Sequence, residues 1–180
     1  MSHPAQMDFV AEVKALFPEM FTGRRVLEVG SLNVNGSVRQ FFQDCGYTGL
    51  DIVAGPGVDV VRLAHTYKAK AFEVVISCEM LEHDPHWAKT LKAMAWLTAP
   101  GGLLVITCAG PRRPVHSPYG NTERQAPAEL AGFYRNLEEK DLVDGLGLDG
   151  GAWPRYAVRY AGGFTDLYLW ARKEGNNHVD

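Results

Sequence analysis

The stretch Arg25-Val-Leu-Glu-Val-Gly-Ser-Leu-Asn-Val-Asn-Gly-Ser37 decides the fold. Val26, Leu27 and Val29 make a short apolar run of the kind that is buried on both faces of a parallel sheet. Glu28 places a carboxylate near the end of that run. Gly30 then lets the backbone turn beneath a ligand with no Cβ in the way. Asn33, Asn35 and Gly36 tolerate the left-handed conformations of a tight loop. Ser37 and Gln40 have capping-box spacing and predict a helix after the loop. Strand, glycine turn and helix in this order build the crevice where doubly wound α/β proteins hold nucleotide-like ligands. The competing reading is an ordinary βα turn.

Three ligand solutions can be compared at this loop. A phosphate-binding loop needs Gly-Lys-Ser/Thr, and here Gly36 runs directly into Ser37 with no lysine. A dinucleotide fingerprint needs a second glycine two residues after the first, and Leu32 stands there, with a side chain that obstructs a pyrophosphate. What remains is a glycine turn with an upstream carboxylate, suited to an adenosine ligand that carries an ammonium and a sulfonium. S-adenosylmethionine is such a ligand.

Two further landmarks follow. Tyr47-Thr-Gly-Leu-Asp-Ile52 reads as the next strand, with Asp51 about 20 residues beyond the first loop, where an acidic side chain accepts hydrogen bonds from ribose hydroxyls. Ile52 is placed to pack on adenine. Asp51 reads equally as the cap of a turn before Gly55-Pro-Gly57. Phe72 to Ser77 is another buried strand, opening at Cys78-Glu79. Asp84 and Pro85 then have the types expected to start a helix. Along that helix Trp87, Leu91, Met94 and Ala95 recur at helical spacing, which is core packing.

The series Val-Leu-Glu-Val-Gly-Ser (26–31), Tyr-Thr-Gly-Leu-Asp (47–51), Cys-Glu-Met-Leu-Glu-His (78–83) and Ala-Pro-Gly-Gly-Leu-Leu (99–104) resembles the class I S-adenosylmethionine-dependent methyltransferase family. The resemblance covers roughly residues 20–110. It implies an α/β, Rossmann-like doubly wound fold, a mostly parallel seven-stranded sheet with a C-terminal antiparallel hairpin. It implies S-adenosylmethionine as methyl donor and S-adenosylhomocysteine as product. By position it implies that Gly30 and Ser31, with Glu28 and Asn33 in the same turn, meet the methionine part. Asp51 and Ile52 then meet the ribose and adenine, Leu63 and Ala64 the adenine, and Cys78 and Glu79 face the reacting methyl. Two positions depart from the family pattern. Leu32 and Val34 stand where further glycines are usual, and Leu63 stands where an Asp commonly receives the adenine amino group. Asp59 either replaces that Asp or ends a turn.

With 180 residues, 46% of them hydrophobic, the chain reads as a single domain over 1–180. Its opening helix lies within about 1–20, with Phe9, Val13, Leu16 and Phe17 on one face. Met1–Pro4 and the tail 174–180 are expected to be loose. Strands are expected near 25–30, 47–52, 58–61, 72–77 and 102–108, with helices between them. Tyr156–Tyr160 and Thr165–Ala171 flank Ala161-Gly-Gly163 as a hairpin. There is no signal-peptide pattern or spanning apolar run. Cys45, Cys78 and Cys108 are unclustered, as suits reduced thiols in a cytoplasm.

The segment 109–133, rich in Pro and Gly at its start, is expected to face the substrate. Arg112 and Arg113 read as partners for a carboxylate or phosphate on an acceptor, with His116 and Tyr119 beside them; the bland alternative is a solvated loop. His83 reads either as a base for the acceptor or as a fastening for the next helix. Paired with His86 it lacks a third ligand, so no metal is expected. The net charge of −3 and the lack of a basic stripe disfavour nucleic acid and favour a small-molecule acceptor, an anionic one if Arg112, Arg113 and Arg124 meet it. In-line transfer needs mainly positioning. Two other functions fit parts of the pattern: a non-catalytic subunit with this fold, and a nicotinamide-dependent oxidoreductase.

Overall fold

The computed structural model describes residues 3–116 and 132–175. Seven strands make one sheet: β1 (Arg25–Val29), β2 (Gly46–Asp51), β3 (Val60–Val61), β4 (Phe72–Cys78), β5 (Thr98–Ala109), β6 (Arg155–Ala161) and β7 (Asp166–Arg172). Their order is β3-β2-β1-β4-β5-β7-β6. The first five run parallel, while β7 is antiparallel to both β5 and β6. The strand order reverses between β1 and β4, and doubly wound sheets open a crevice at such a point. The register sets Val29 opposite both Leu50 and Ser77. Gly30, Asp51 and Cys78 therefore leave the sheet side by side.

Strand alternation feeds two cores. Val26, Val74, Ile76, Leu103, Val105 and Tyr168 pack beneath α1 (Pro4–Leu16), through Phe9, Val10 and Val13. Leu27, Val29, Val75, Leu104 and Ile106 point to the other face, under Leu91 and Met94 of α2 (Trp87–Leu97) and Leu142 and Leu146 of α3 (Glu139–Leu146). Both faces are covered, which is why the central strands read as continuous apolar runs. Phe9 stacks on Tyr168 with ring centroids 4.8 Å apart.

Several local expectations are overturned. No α-helix follows the first loop: Ser37 Oγ accepts from the Arg39 N–H, and the Gln40 amide donates to the Ser37 carbonyl rather than accepting from its N–H. The capping box does not close, and a single 3₁₀ turn, Val38–Phe41, stands there. Only another 3₁₀ turn, Ala64–Thr66, lies between β3 and β4. α2 begins at Trp87, two residues later than the Asp84-Pro85 signal suggests; Asp84 caps the turn before it, accepting from the His86 N–H and the Thr90 hydroxyl. Leu16, expected on the buried face of α1, is exposed. α1 is also ordered from its first residue, because His3 and Gln6 do form a capping box around Pro4. Pro100-Gly101-Gly102 interrupts β5 without ending it: the pairing jumps from Phe72↔Thr98 to Val74↔Leu103. α3 was not anticipated. Tyr119 and the middle of the 109–133 segment lie outside the described residues, as does the end of the tail.

Candidate active site

A cleft of about 760 Å³, open to solvent, lies over the carboxyl ends of β1, β2 and β4. Gly30, Asp51, Ile52, Leu63, Ala64, Cys78 and Glu79 all line it, together with Leu32, Met80 and His83. A smaller cavity of about 330 Å³ adjoins it and shares Gly30, Leu32, Val34 and Cys78. Glu28, Ser31 and Gln6 line this second space. Asn33 lines neither; its side chain accepts from the Gly36 N–H at 2.8 Å and holds the loop closed on itself.

Gly30 is required by geometry. Its φ is +82°, and a Cβ there would sit 2.5 Å from Cγ of Met80. Leu32 leans towards Gly55, where a Cβ would collide with it. Its N–H donates to Asp51 Oδ2 at 3.0 Å, and the Val53 N–H donates to Oδ1 at 3.1 Å. Asp51 therefore caps a turn and also lines the cleft, so the two readings of this residue hold together. Burial pushes its carboxyl up, and the N–H donors from Leu32 and Val53 hold it back. Asp59 ends a turn: its carboxylate accepts from the Gly49 N–H at 2.7 Å, away from the cleft.

Glu28 is 5% exposed and accepts the Tyr47 hydroxyl at 2.7 Å. Burial pushes its carboxyl up to about 7, with the Tyr47 bond opposing. Beside it, Ser31 Oγ is buried with no hydrogen-bond partner. A buried acid and an orphaned hydroxyl at the glycine turn suit the polar end of an amino-acid-bearing ligand, because each gains a partner when such a group arrives. Glu79 has a φ of +54°, an uncommon conformation for a side chain with a Cβ, at the point where β4 opens into the cleft.

The acceptor side differs from expectation. Arg113 does not line the cleft; it donates to Glu79 at 2.6 Å and lies 3.0 Å from Asp166. Burial works against its charge, but these two carboxylates hold its pKa above the ordinary value. Glu79 is held below the usual carboxylate range by His3 and Arg113, against its burial. His3 thus belongs to this cluster, 3.6 Å from Glu79 and 3.7 Å from Asp166, although its sequence context carried no signal. Arg112 lies over the Phe164 ring in the hairpin turn. Arg113 is therefore committed within the protein, while Arg112 is exposed. His116 packs edge-on against His83 and Tyr134, at 5.0 and 5.1 Å between ring centroids. His83 makes no hydrogen bond through either ring nitrogen, so the helix-fastening role is not what holds it. Burial, with His116 nearby, pushes its imidazole down to about 3, which keeps it neutral and a weak base. His86 instead meets His65, at 4.7 Å. Met80 and Gln6 also line these spaces, and Tyr47, Glu82 and Asp166 lie beside residues that do; none was singled out. Glu82 and Met80 lay inside a quoted motif; Gln6 and Asp166 arrive from distant elements with no local signal.

A family model described as a methyltransferase domain matches residues 1–150. No curated protein matches the sequence. Among solved structures, the chain is similar to the 1,6-didemethyltoxoflavin-N1-methyltransferase of Burkholderia thailandensis, with 15% identity and a TM-score of 0.59. That match covers 97% of this chain and 92% of the other. It is similar also to magnesium protoporphyrin IX methyltransferase from Synechocystis, at 16% identity and TM-score 0.60, covering 93% and 79%. Phosphoethanolamine N-methyltransferase 2 of Haemonchus contortus gives 14% identity and TM-score 0.64, covering 94% of this chain and 52% of that one. At these identities the likeness is one of fold.

Proposed function

This chain belongs to the methyltransferase-domain family, and we propose that it is an S-adenosylmethionine-dependent enzyme that methylates a small-molecule acceptor bound at the Glu79–His83 end of its cleft. The observation that carries the reading is the convergence of Gly30, Asp51 and Cys78 at the sheet's switch point, around an open, largely apolar cleft. Solved neighbours hold the donor or its product: the Synechocystis enzyme was crystallised with S-adenosylmethionine and the Burkholderia enzyme with S-adenosylhomocysteine. The latter also holds 1,6-didemethyltoxoflavin, which supports a small acceptor here.

In this reading Asp51 accepts from the ribose hydroxyls with lone pairs not used by Leu32 and Val53. Ile52, Leu63 and Ala64 supply apolar contact for adenine. Glu28 and Ser31 take the amino-acid end, and the backbone at Cys78 and Glu79 bounds the space where the methyl carbon lies. The donor supplies an electrophilic methyl carbon on a sulfonium. The protein orients the acceptor in line at about 3–3.5 Å and excludes water. Neutral His83 accepts a hydrogen bond from an acceptor; with its pKa so low it orients rather than removes the proton. Calorimetric titration with S-adenosylmethionine and S-adenosylhomocysteine tests this. Binding of both at one site per chain, with no binding of NAD, is expected. Binding of neither supports a non-catalytic subunit, and binding of NAD alone supports an oxidoreductase.

A further inference from the structure

We propose that Glu82, His83 and His116 bind a divalent transition-metal cation of the Mn²⁺, Fe²⁺, Co²⁺ or Zn²⁺ kind, at the edge of the cleft that His83 lines. One donor atom from each of the three residues lies within 4.8 Å of the other two. Glu82 is fully buried, and neither carboxylate oxygen has a hydrogen-bond partner. A buried acid left in this way costs free energy unless a cation or donor meets it. His83 likewise offers both ring nitrogens unpartnered. Two imidazoles and one carboxylate are the donor set that borderline divalent metals favour.

The surroundings are built to aim these groups. His116 Nδ1 lies 3.1 Å from the Pro114 carbonyl, which leaves Nε2 for a ligand and fixes the ring in the way metal-binding histidines are commonly held. The Glu82 backbone carbonyl accepts the Arg135 N–H at 2.8 Å, fastening the 3₁₀ turn Leu81–His83 to the irregular segment before α3. Ligation at about 2.1 Å would draw the donors to about 3–3.5 Å of one another, which asks each side chain of the trio to shift inward, Glu82 and His83 from a present separation of 3.9 Å. A second cluster of the same kind, His3, Glu79 and Asp166, is different: Arg113 already supplies its cation. Resting on the methyltransferase reading, an ion bound through the His83 lone pair would take over the orienting role given to His83 and hold an acceptor through an oxygen atom, which makes hydroxyl- or carboxylate-bearing acceptors the class it selects.

The test uses the whole chain, stripped of metal by a chelator and titrated with Co²⁺ without donor or acceptor. One ion per chain is expected, with the visible ligand-field absorption of a nitrogen- and oxygen-ligated cobalt. His116→Ala and Glu82→Gln should each weaken Co²⁺ binding at least about tenfold, as loss of a ligand or its support does. His86→Ala, outside the trio, should leave it unchanged. Calorimetry with S-adenosylhomocysteine on the same variants separates loss of the metal site from loss of the cleft, since His116→Ala should still bind it as the parent does. No cobalt binding by the parent, undiminished binding by His116→Ala, or equal loss in His86→Ala overturns the proposal.

Discussion

Replacing Asp51 with Ala removes two things at once, and the structure lets them be separated. The carboxylate accepts the Leu32 and Val53 N–H groups, so the first cost falls on the empty protein. Leu32 lines the open cleft, so its N–H can turn to water, while the Val53 N–H is left at a residue only 8% exposed. The stability loss is therefore about 1–3 kcal/mol. The second cost falls on the bound donor, whose ribose hydroxyls lose their acceptor. That is worth about 1–3 kcal/mol, or roughly 5- to 150-fold in Kd. Asp51→Asn keeps one acceptor oxygen and should fall between parent and Ala. Calorimetry with S-adenosylhomocysteine and with an analogue lacking both ribose hydroxyls completes a double-difference cycle. The parent should bind the analogue more weakly, and Asp51→Ala should bind the two about equally. If Asp51→Ala still prefers the intact ribose by the parental ratio, the carboxylate does not hold it and the placement of the nucleoside is wrong.

Three more outcomes follow. Gly30→Ala combines a φ of +82° with a collision against Met80; it should lower stability by about 1–3 kcal/mol and weaken S-adenosylhomocysteine binding, and an unchanged Tm would contradict the turn as described. Arg113→Ala leaves Glu79 and Asp166 without their cation, so it should cost about 3–5 kcal/mol in unfolding experiments, whereas a loss confined to the KM of an acceptor would restore the substrate-binding role. Glu28 and Glu82 are pushed up to about 7 and about 8 by burial. A carboxyl with a raised native pKa contributes stability that is present below its unfolded value of 4.5 and lost as pH rises through the native value. The metal-free protein should therefore lose stability between about pH 5 and 8, and Glu28→Gln with Glu82→Gln should flatten that slope; a parental slope in the double variant would contradict it.

The central sheet was readable because Val26–Val29 and Phe72–Ser77 are apolar on both faces, a pattern only a covered parallel strand explains. The cleft residues Gly30, Asp51, Leu63, Ala64 and Cys78 were readable because strand ends and turns have local signatures. The helices around the first half were not. Ser37 and Gln40 have the right types at the right spacing, yet Val38 and Phe41 are drawn into the core beneath α1 and only one turn forms. Capping signals are worth about 1 kcal/mol, less than burying two such side chains. The partners of Arg113 were not legible for a related reason. Arg113 looks solvated in a Pro- and Gly-rich stretch, and nothing nearby in sequence announces that Asp166, 53 residues on, will share its charge with Glu79. The neighbours of His83 were illegible in the same way: local spacing offers His86, while the fold brings His116 and the adjacent Glu82 beside it. Pairings across the sheet edge depend on topology, which local spacing does not encode.

The occupant of the cleft is tested most directly by a crystal structure of the chain grown with S-adenosylhomocysteine. The adenosine should lie between Ile52 and Leu63–Ala64 with its ribose hydroxyls on Asp51, the amino-acid end towards Glu28 and Ser31, and sulfur facing the Cys78–Glu79 backbone. A ligand lying elsewhere, or a cleft that stays empty at saturating concentration, would contradict the account.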